Sequence, residues 1–385
     1  MEILICLLMA FIVYFDFWPI LNKKRKQLIK PICYGNLQAV REQVFNSSLV
    51  MLESKKIKMS FNEEHNLYSF LSKCKRFLKR DKYHDEYRYY NFPRAWLMIG
   101  LVDSYESDKK ESTLRQLTDA IGKLVDNEGN IKFNFDKLDQ ILFGMVFTRM
   151  YVVTGEERFI KYADTLYKGL SNFELDGLLL YRKNLKVYFT DSIGMSVPFL
   201  YSYHSITSDL DSLTMARKQL DFYIENGLEV KNKFPFHAID LSTNVRLGSV
   251  NWTRGIAWFL IGLSYAIKYE IDEARIHRYS NLYEEIIKKL QSISEKGCYW
   301  PQFIAHSNDT RIDSSATLMI YYSMSICEYV AYDLSNVSNS MKDSINKNGM
   351  VLNSSGDTIY INRYSTIQSV SEVSQGLLLS LLYKE

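Results

Sequence analysis

The sequence predicts an all-α protein built as an (α/α)6 barrel, in which six helical hairpins close into a toroid. Two observations carry this prediction. Charged residues open apolar helices at a recurring interval, and helices that are apolar all round alternate with amphipathic ones. Arg94 precedes Ala95 to Leu101, Asp139 precedes Ile141 to Met145, and Asp191 opens the run from Ser192 to Leu200. Arg254 precedes Gly255 to Gly262, Asp313 precedes Ala316 to Ile320, and Glu372 precedes Gly376 to Leu379. These openers recur at roughly 45 to 63 residues, the period of a repeating pair of helices.

Taken in order, 3.6-residue periodicity and end signals place helices near 36–55, 63–80, 93–105, 111–126, 138–153, 156–171, 191–205, 211–226, 254–268, 272–292, 313–331, 335–347 and 371–383. Segments 191–205 and 254–268 are apolar on nearly every face and must be surrounded by protein. Segment 272–292, with Asp272, Glu273, Glu284, Glu285, Lys288 and Lys289, keeps a solvent face. An inner ring of helices wrapped by an outer ring satisfies both patterns. Leu178–Tyr181 paired with Val187–Phe189, and Ile359–Ile361, read as small β-hairpins in the connecting loops. No low-complexity linker divides residues 36–385, which are expected to form one catalytic-type domain.

Residues 1–30 differ in character. Ile3 to Phe15 is uninterrupted apolar sequence, followed by Phe17-Trp18 and then by Lys23, Lys24, Arg25, Lys26 and Lys30. Residues 3–21 are therefore expected to anchor the chain in a membrane, near the lower length limit for a span. The basic flank would hold the main domain on the cytoplasmic side. A cleaved signal peptide fits poorly, because no basic residue precedes the apolar run. A short helix lying on the membrane surface or on the domain fits the same residues.

Composition narrows the function. Basic and acidic residues nearly balance, 47 against 44, so no nucleic-acid surface is expected. The five cysteines, Cys6, Cys33, Cys74, Cys298 and Cys327, show no metal spacing, and the six histidines have no partners at ligand intervals. No metal and no cofactor is expected; glycine-rich nucleotide loops and a Gly-x-Ser-x-Gly elbow are missing from the sequence.

In the predicted layout the N-termini of the inner helices share one end of the toroid. Asp139, Asp191, Arg254 and Asp313 gather there with exposed N–H groups and the positive ends of helix dipoles. Asp191 and Asp139 each fit a helix N-cap. They also fit an acid/base couple, because a carboxyl group among Tyr188, Phe189 and Met195 suits a general acid. Arg254 and Trp258 are one helical turn apart, and with Trp252 they offer a guanidinium fork and flat indole faces to a sugar. An ion pair of Arg254 with a neighbouring Asp, both tryptophans filling the core, fits the spacing as well. His237 lies in the loop leading to that cluster.

Leu138-Asp139-x-Ile141-x-x-Gly144, Asp191-x-x-x-Met195-x-x-Pro198-Phe199-Leu200, Trp252-x-Arg254-Gly255-x-x-Trp258 and Asp313-Ser314-Ser315-Ala316 together resemble glycoside hydrolase families 88 and 105, the unsaturated glucuronyl and rhamnogalacturonyl hydrolases. The resemblance runs in order over roughly residues 90 to 383 and implies the (α/α)6 barrel. It also implies hydration of the C4–C5 double bond of a terminal unsaturated uronic acid on an oligosaccharide or polysaccharide, without a cofactor. Asp191 would be the proton donor and Asp139 the second acidic residue. Arg254, Trp252, Trp258, His237 and Met195 would line the sugar site. This sequence departs from the family with Phe189 where a Trp is usual and Leu180-Tyr181-Arg182 where a His is usual, both in the substrate pocket. Two other readings stay open: a uronyl epimerase or lyase on the same barrel, and a non-catalytic glycan-binding membrane protein.

Overall fold

The structure, a computed structural model, describes residues 2–14, 37–54, 59, 78, 91–126, 128–295, 298–304, 311–329, 334–358, 360–365 and 367–384. Thirteen α-helices are described: α1 Glu2–Ile12, α2 Leu37–Glu53, α3 Phe92–Asp108, α4 Glu111–Ile121, α5 Leu142–Thr154, α6 Glu157–Gly169, α7 Thr190–Thr207, α8 Leu210–Asn226, α9 Thr253–Tyr269, α10 Glu273–Ser292, α11 Ser314–Ile326, α12 Leu334–Met341 and α13 Glu372–Tyr383. Of the predicted helices, the one near 63–80 lies outside the described residues apart from Leu78.

Helices α3, α5, α7, α9, α11 and α13 form the inner ring. Each packs on the next, and α13 returns to α3. Outside them lie α4, α6, α8, α10, α12 and α2, each packed on its inner partner. The reason for the alternation is the one expected from sequence: α9 and α13 bury nearly every residue, whereas α6 buries only Phe159, Ala163 and Leu166. Closest approach needs glycine. A Cβ on Gly100 of α3 would meet the carbonyl of Gly376 of α13, and one on Gly376 would meet the carbonyl of Trp96. Gly194 and Gly262 allow the same intimacy between α7 and α9, where the obstacles are the backbone of Trp258 and the side chain of Ile193.

Two ion pairs lock the ring. Arg94, 1% exposed at the head of α3, meets Glu372 of α13 with Nε–Oε2 at 3.0 Å and Nη2–Oε1 at 3.1 Å. Arg94 also donates to the carbonyls of Met51, Leu52 and Ser54 at the end of α2. At the opposite end of the barrel Glu270 caps α9 and accepts from Arg217 Nε at 3.0 Å, Tyr201 Oη at 2.9 Å and the amides of Ile271 and Asp272. Burial alone would raise its pKa, but Arg217 and the other donors outweigh that and hold it at about 2. A depressed carboxyl pKa stabilises the fold fully above the ordinary value of 4.5 and loses that contribution as pH falls toward 2. The unfolding midpoints of Glu270→Gln and the parent protein are therefore expected to differ clearly at pH 7 and to draw together as pH falls from 4.5 through 2; a gap independent of pH would refute the assignment.

The small strands differ in pairing from the prediction. β1 (Glu174–Leu175) pairs with β2 (Leu178–Leu179), while β3 (Val187–Phe189) pairs antiparallel with β4 (Ala238–Asp240), which pairs with β5 (Val245–Leu247). Asp176 and Gly177 between β1 and β2 both have positive φ, 53° and 79°, the requirement of a two-residue hairpin turn. That Asp-Gly pair closes β2 onto the residues before it and leaves β3 free for β4. The last pair, β6 (Ser354–Ser355) with β7 (Gln368–Ser369), takes the place of the hairpin expected at Ile359–Ile361; Ile359 itself lies outside the described residues.

The membrane span expected over residues 3–21 is not borne out by the helices described. α1 is apolar and largely exposed, but it has eleven residues, about half of what a span needs. No helix among the described residues is long and apolar enough to cross a membrane. Residues 15–21 and the basic flank, on which the expected cytoplasmic side rested, lie outside the described residues.

Candidate active site

The site is assembled at the end of the ring where the inner helices begin. Strand β3 runs directly into α7, and its register sets Phe189 opposite Ala238, so that Thr190 N donates to His237 O at 3.0 Å. Asp191, the next residue, is thereby brought to His237, with Asp191 Oδ2 and His237 Nε2 3.5 Å apart. Gly248, at φ 82° just after β5, stands where any Cβ would strike the His237 side chain. It makes room for the imidazole.

Asp191 is not the helix cap. The capping position of α7 belongs to Phe189, and Asp191 sits inside the first turn with its carboxylate 18% exposed and no hydrogen bond on Oδ2. A cap would have bound the free amides; this carboxylate is left for something else. Asp139 lies in the short 3-10 turn Leu138–Ile141 that leads into α5 and is fully buried. It accepts a hydrogen bond from Tyr181 Oη at 2.8 Å. Of the two predicted carboxylates, then, Asp191 is reachable and Asp139 lies beneath the surface.

Around them stands an aromatic cup. His237 packs on Trp252 at 4.5 Å, on Tyr364 at 5.4 Å and on Phe189 at 5.5 Å between ring centroids. Trp252 and Tyr364 are 5.3 Å apart, and Phe303 meets Tyr364 edge-on at 5.0 Å. Tyr181 meets Phe189 at 6.2 Å on the far side. Two buried polar atoms of this cup, His237 Nδ1 and Trp252 Nε1, have no hydrogen-bond partner. Buried donors and acceptors are nearly always satisfied, and these two lie beside the partly exposed Asp191 carboxylate.

Arg254 is engaged with a neighbouring loop. Its Nη1 donates to Ser355 O at 2.9 Å and Ser355 Oγ at 3.1 Å, and its Nη2 donates to Gly356 O at 2.8 Å and Thr358 Oγ1 at 3.3 Å. The guanidinium, 5.4 Å from the Trp252 ring centroid, clamps the loop after β6. Asp313 does cap its helix, accepting from Ser315 N at 3.0 Å, and it also receives Ser355 N and Ser355 Oγ. Trp258 turns into the barrel core, 5.9 Å from Phe92 and 6.1 Å from Trp96, because one turn into an inner helix already lies below the rim. Met195, 2% exposed, belongs to the same core, and Tyr188 points away, donating to Gln219 at 2.8 Å.

Sequence reasoning passed over Tyr181, Phe303 and Tyr364, and also Lys137 and Asp357. Burial pulls the Lys137 ammonium below its ordinary pKa, against the opposing pull of Asp139, Asp136 and Asp357. Asp357 follows the turn-forming run Asn353-Ser354-Ser355-Gly356, which was the local signal of a loop but not of a site. Removing the Tyr181 hydroxyl takes one hydrogen bond from Asp139 and is expected to lower kcat/KM about tenfold in Tyr181→Phe, with the unfolding midpoint unchanged. Full activity in that variant would show that Asp139 needs no such support.

The ring of helical hairpins thus brings Asp191 beside a cluster of aromatic rings at the end where the inner helices begin. A model of Glycosyl Hydrolase Family 88 matches residues 61–383. The chain belongs to this family and is a glycoside hydrolase. Solved structures agree in fold. A possible member of the GH105 family from Klebsiella pneumoniae superposes with a TM-score of 0.72 at 12% identity, over 92% of this chain and 93% of that one. The unsaturated glucuronyl hydrolase of Bacillus sp. GL1 does so with a TM-score of 0.64 at 12% identity, over 89% and 96%. The α-1,6-mannanase GH76A of Salegentibacter sp. HEL1_6 also shares the fold, with a TM-score of 0.64 at 13% identity, over 91% and 98%.

Proposed function

We propose that this glycoside hydrolase acts on terminal unsaturated uronic acid residues of oligosaccharides, by hydrating the C4–C5 double bond. The observation that carries the reading is Asp191: a partly exposed carboxyl group in the first turn of α7, outside the capping position and 3.5 Å from His237. Asp191 would deliver its proton to C4 while a water oxygen bonds to C5; the water's proton then passes to the carboxylate, restoring the acid. The hemiketal formed at C5 opens and releases the neighbouring sugar as an alcohol. His237 and Trp252 supply ring faces and unsatisfied N positions for hydroxyl groups, and Asp139, steadied by Tyr181, holds the geometry about the reacting carbon.

The test is direct. Purified protein is incubated with unsaturated glucuronyl and rhamnogalacturonyl disaccharides, and the ultraviolet absorbance of the double bond is followed. Loss of absorbance with release of the second sugar supports the reading. Deuterium entering C5 from heavy water with the double bond retained would replace it by the lyase or epimerase alternative.

A further inference from the structure

The loop after β6 carries a further carboxyl group, Asp357. Asp357 sits between two residues that Arg254 holds, Gly356 through its carbonyl at 2.8 Å and Thr358 through its hydroxyl at 3.3 Å. Arg254 is in turn rooted in the first turn of α9, and the preceding Ser355 is fixed from the other side by Asp313. The loop is therefore pinned on both flanks of Asp357. The side chain makes a local bond, Oδ1 accepting from Thr358 N at 2.9 Å. Its charged neighbours come from three separate elements: Arg254 of α9, Asp191 of α7 and Lys137 before α5. Two of these flank the candidate active site, and the unsatisfied His237 Nδ1 and Trp252 Nε1 belong to the same cup.

We infer that Asp357 is a further substrate-binding residue of this site, a carboxyl group held by the Arg254 clamp to take a hydroxyl of the bound sugar. Burial raises its pKa to about 6, with Asp191 adding to the rise and Arg254, the Thr358 amide and Lys137 opposing it. Arg254 thus acts as a positioning residue whose effect on the sugar passes through the loop.

The inference rests on the reading of the site as a sugar pocket, and the experiment separates the two. In an Asp191→Asn background, so that no turnover intervenes, binding of an unsaturated glucuronyl disaccharide is measured by calorimetry with and without Asp357→Asn. A loss of about tenfold in affinity is expected, the size of one hydrogen bond to a charged group. Carbon-detected NMR of the Asp357 carboxyl group supplies the second readout: its titration midpoint should move when the disaccharide saturates the site. Equal affinities, or a midpoint indifferent to the sugar, would overturn the inference. Binding with those signatures in a protein whose Asp191-containing parent turns over no unsaturated uronide would sink the hydration reading and leave Asp357 as a sugar-binding group.

Discussion

Asp191→Asn is expected to lower kcat on an unsaturated uronyl disaccharide by about 10²- to 10⁴-fold, the range contributed by a positioned general acid, with KM changed only a few-fold. The amide has the shape of the carboxyl group and keeps its place in the first turn of α7, so stability should be untouched. It has no proton of suitable acidity for C4, and it cannot take one back from water. The distinguishing feature is the split between the two constants. Were Asp191 a binding group, KM would rise and kcat would hold; were it structural, the unfolding midpoint would fall. A variant indistinguishable from the parent in all three would remove the carboxyl group from the mechanism.

The largest stability effect is expected at Arg94. Replacing it by Met strands the Glu372 carboxylate, itself fully buried, without its guanidinium, and three carbonyls at the end of α2 lose their donor. Breaking one side of a buried pair costs about 3–5 kcal/mol, much of it the desolvated charge left behind. Urea unfolding followed by tryptophan fluorescence should show a marked fall in midpoint for Arg94→Met and a partial recovery in Arg94→Met/Glu372→Met, where no charge is stranded. Recovery is the informative arm. If the double variant were worse than either single one, the pair would be contributing attraction rather than avoiding a penalty.

The recurring openers announced the inner ring correctly, because the pattern that sequence exposes most plainly is which helices must be surrounded by protein. What each opener does was not readable. Arg94 and Glu372 pair with each other, Asp313 caps and braces, Arg254 clamps a loop, and Asp139 and Asp191 stand at the candidate site. These roles depend on which helix heads are neighbours across the ring, and residues such as Arg94 and Glu372 are 278 positions apart. The spacing of Trp258 from Arg254 gives a shared helix face, but not how deep in the core that face lies. Tyr181 comes from the stretch between β2 and β3, and Asp357 and Tyr364 come from the loop between β6 and β7. Each loop is locally polar and turn-rich, and only the closed ring brings their side chains to one mouth.

The contact of Gly100 with Gly376 has a consequence for how the chain acquires its fold. The ring is completed by its last helix, so during synthesis the apolar flank of α3 has to wait for almost the whole chain before its final neighbour exists. Contacts so remote in sequence make for slow closure and a long interval in which hydrophobic surface stays exposed. Nascent chains arrested before α13 should accordingly be held by chaperones, and a bulky side chain at either glycine would prolong that interval by keeping the two helix backbones from docking.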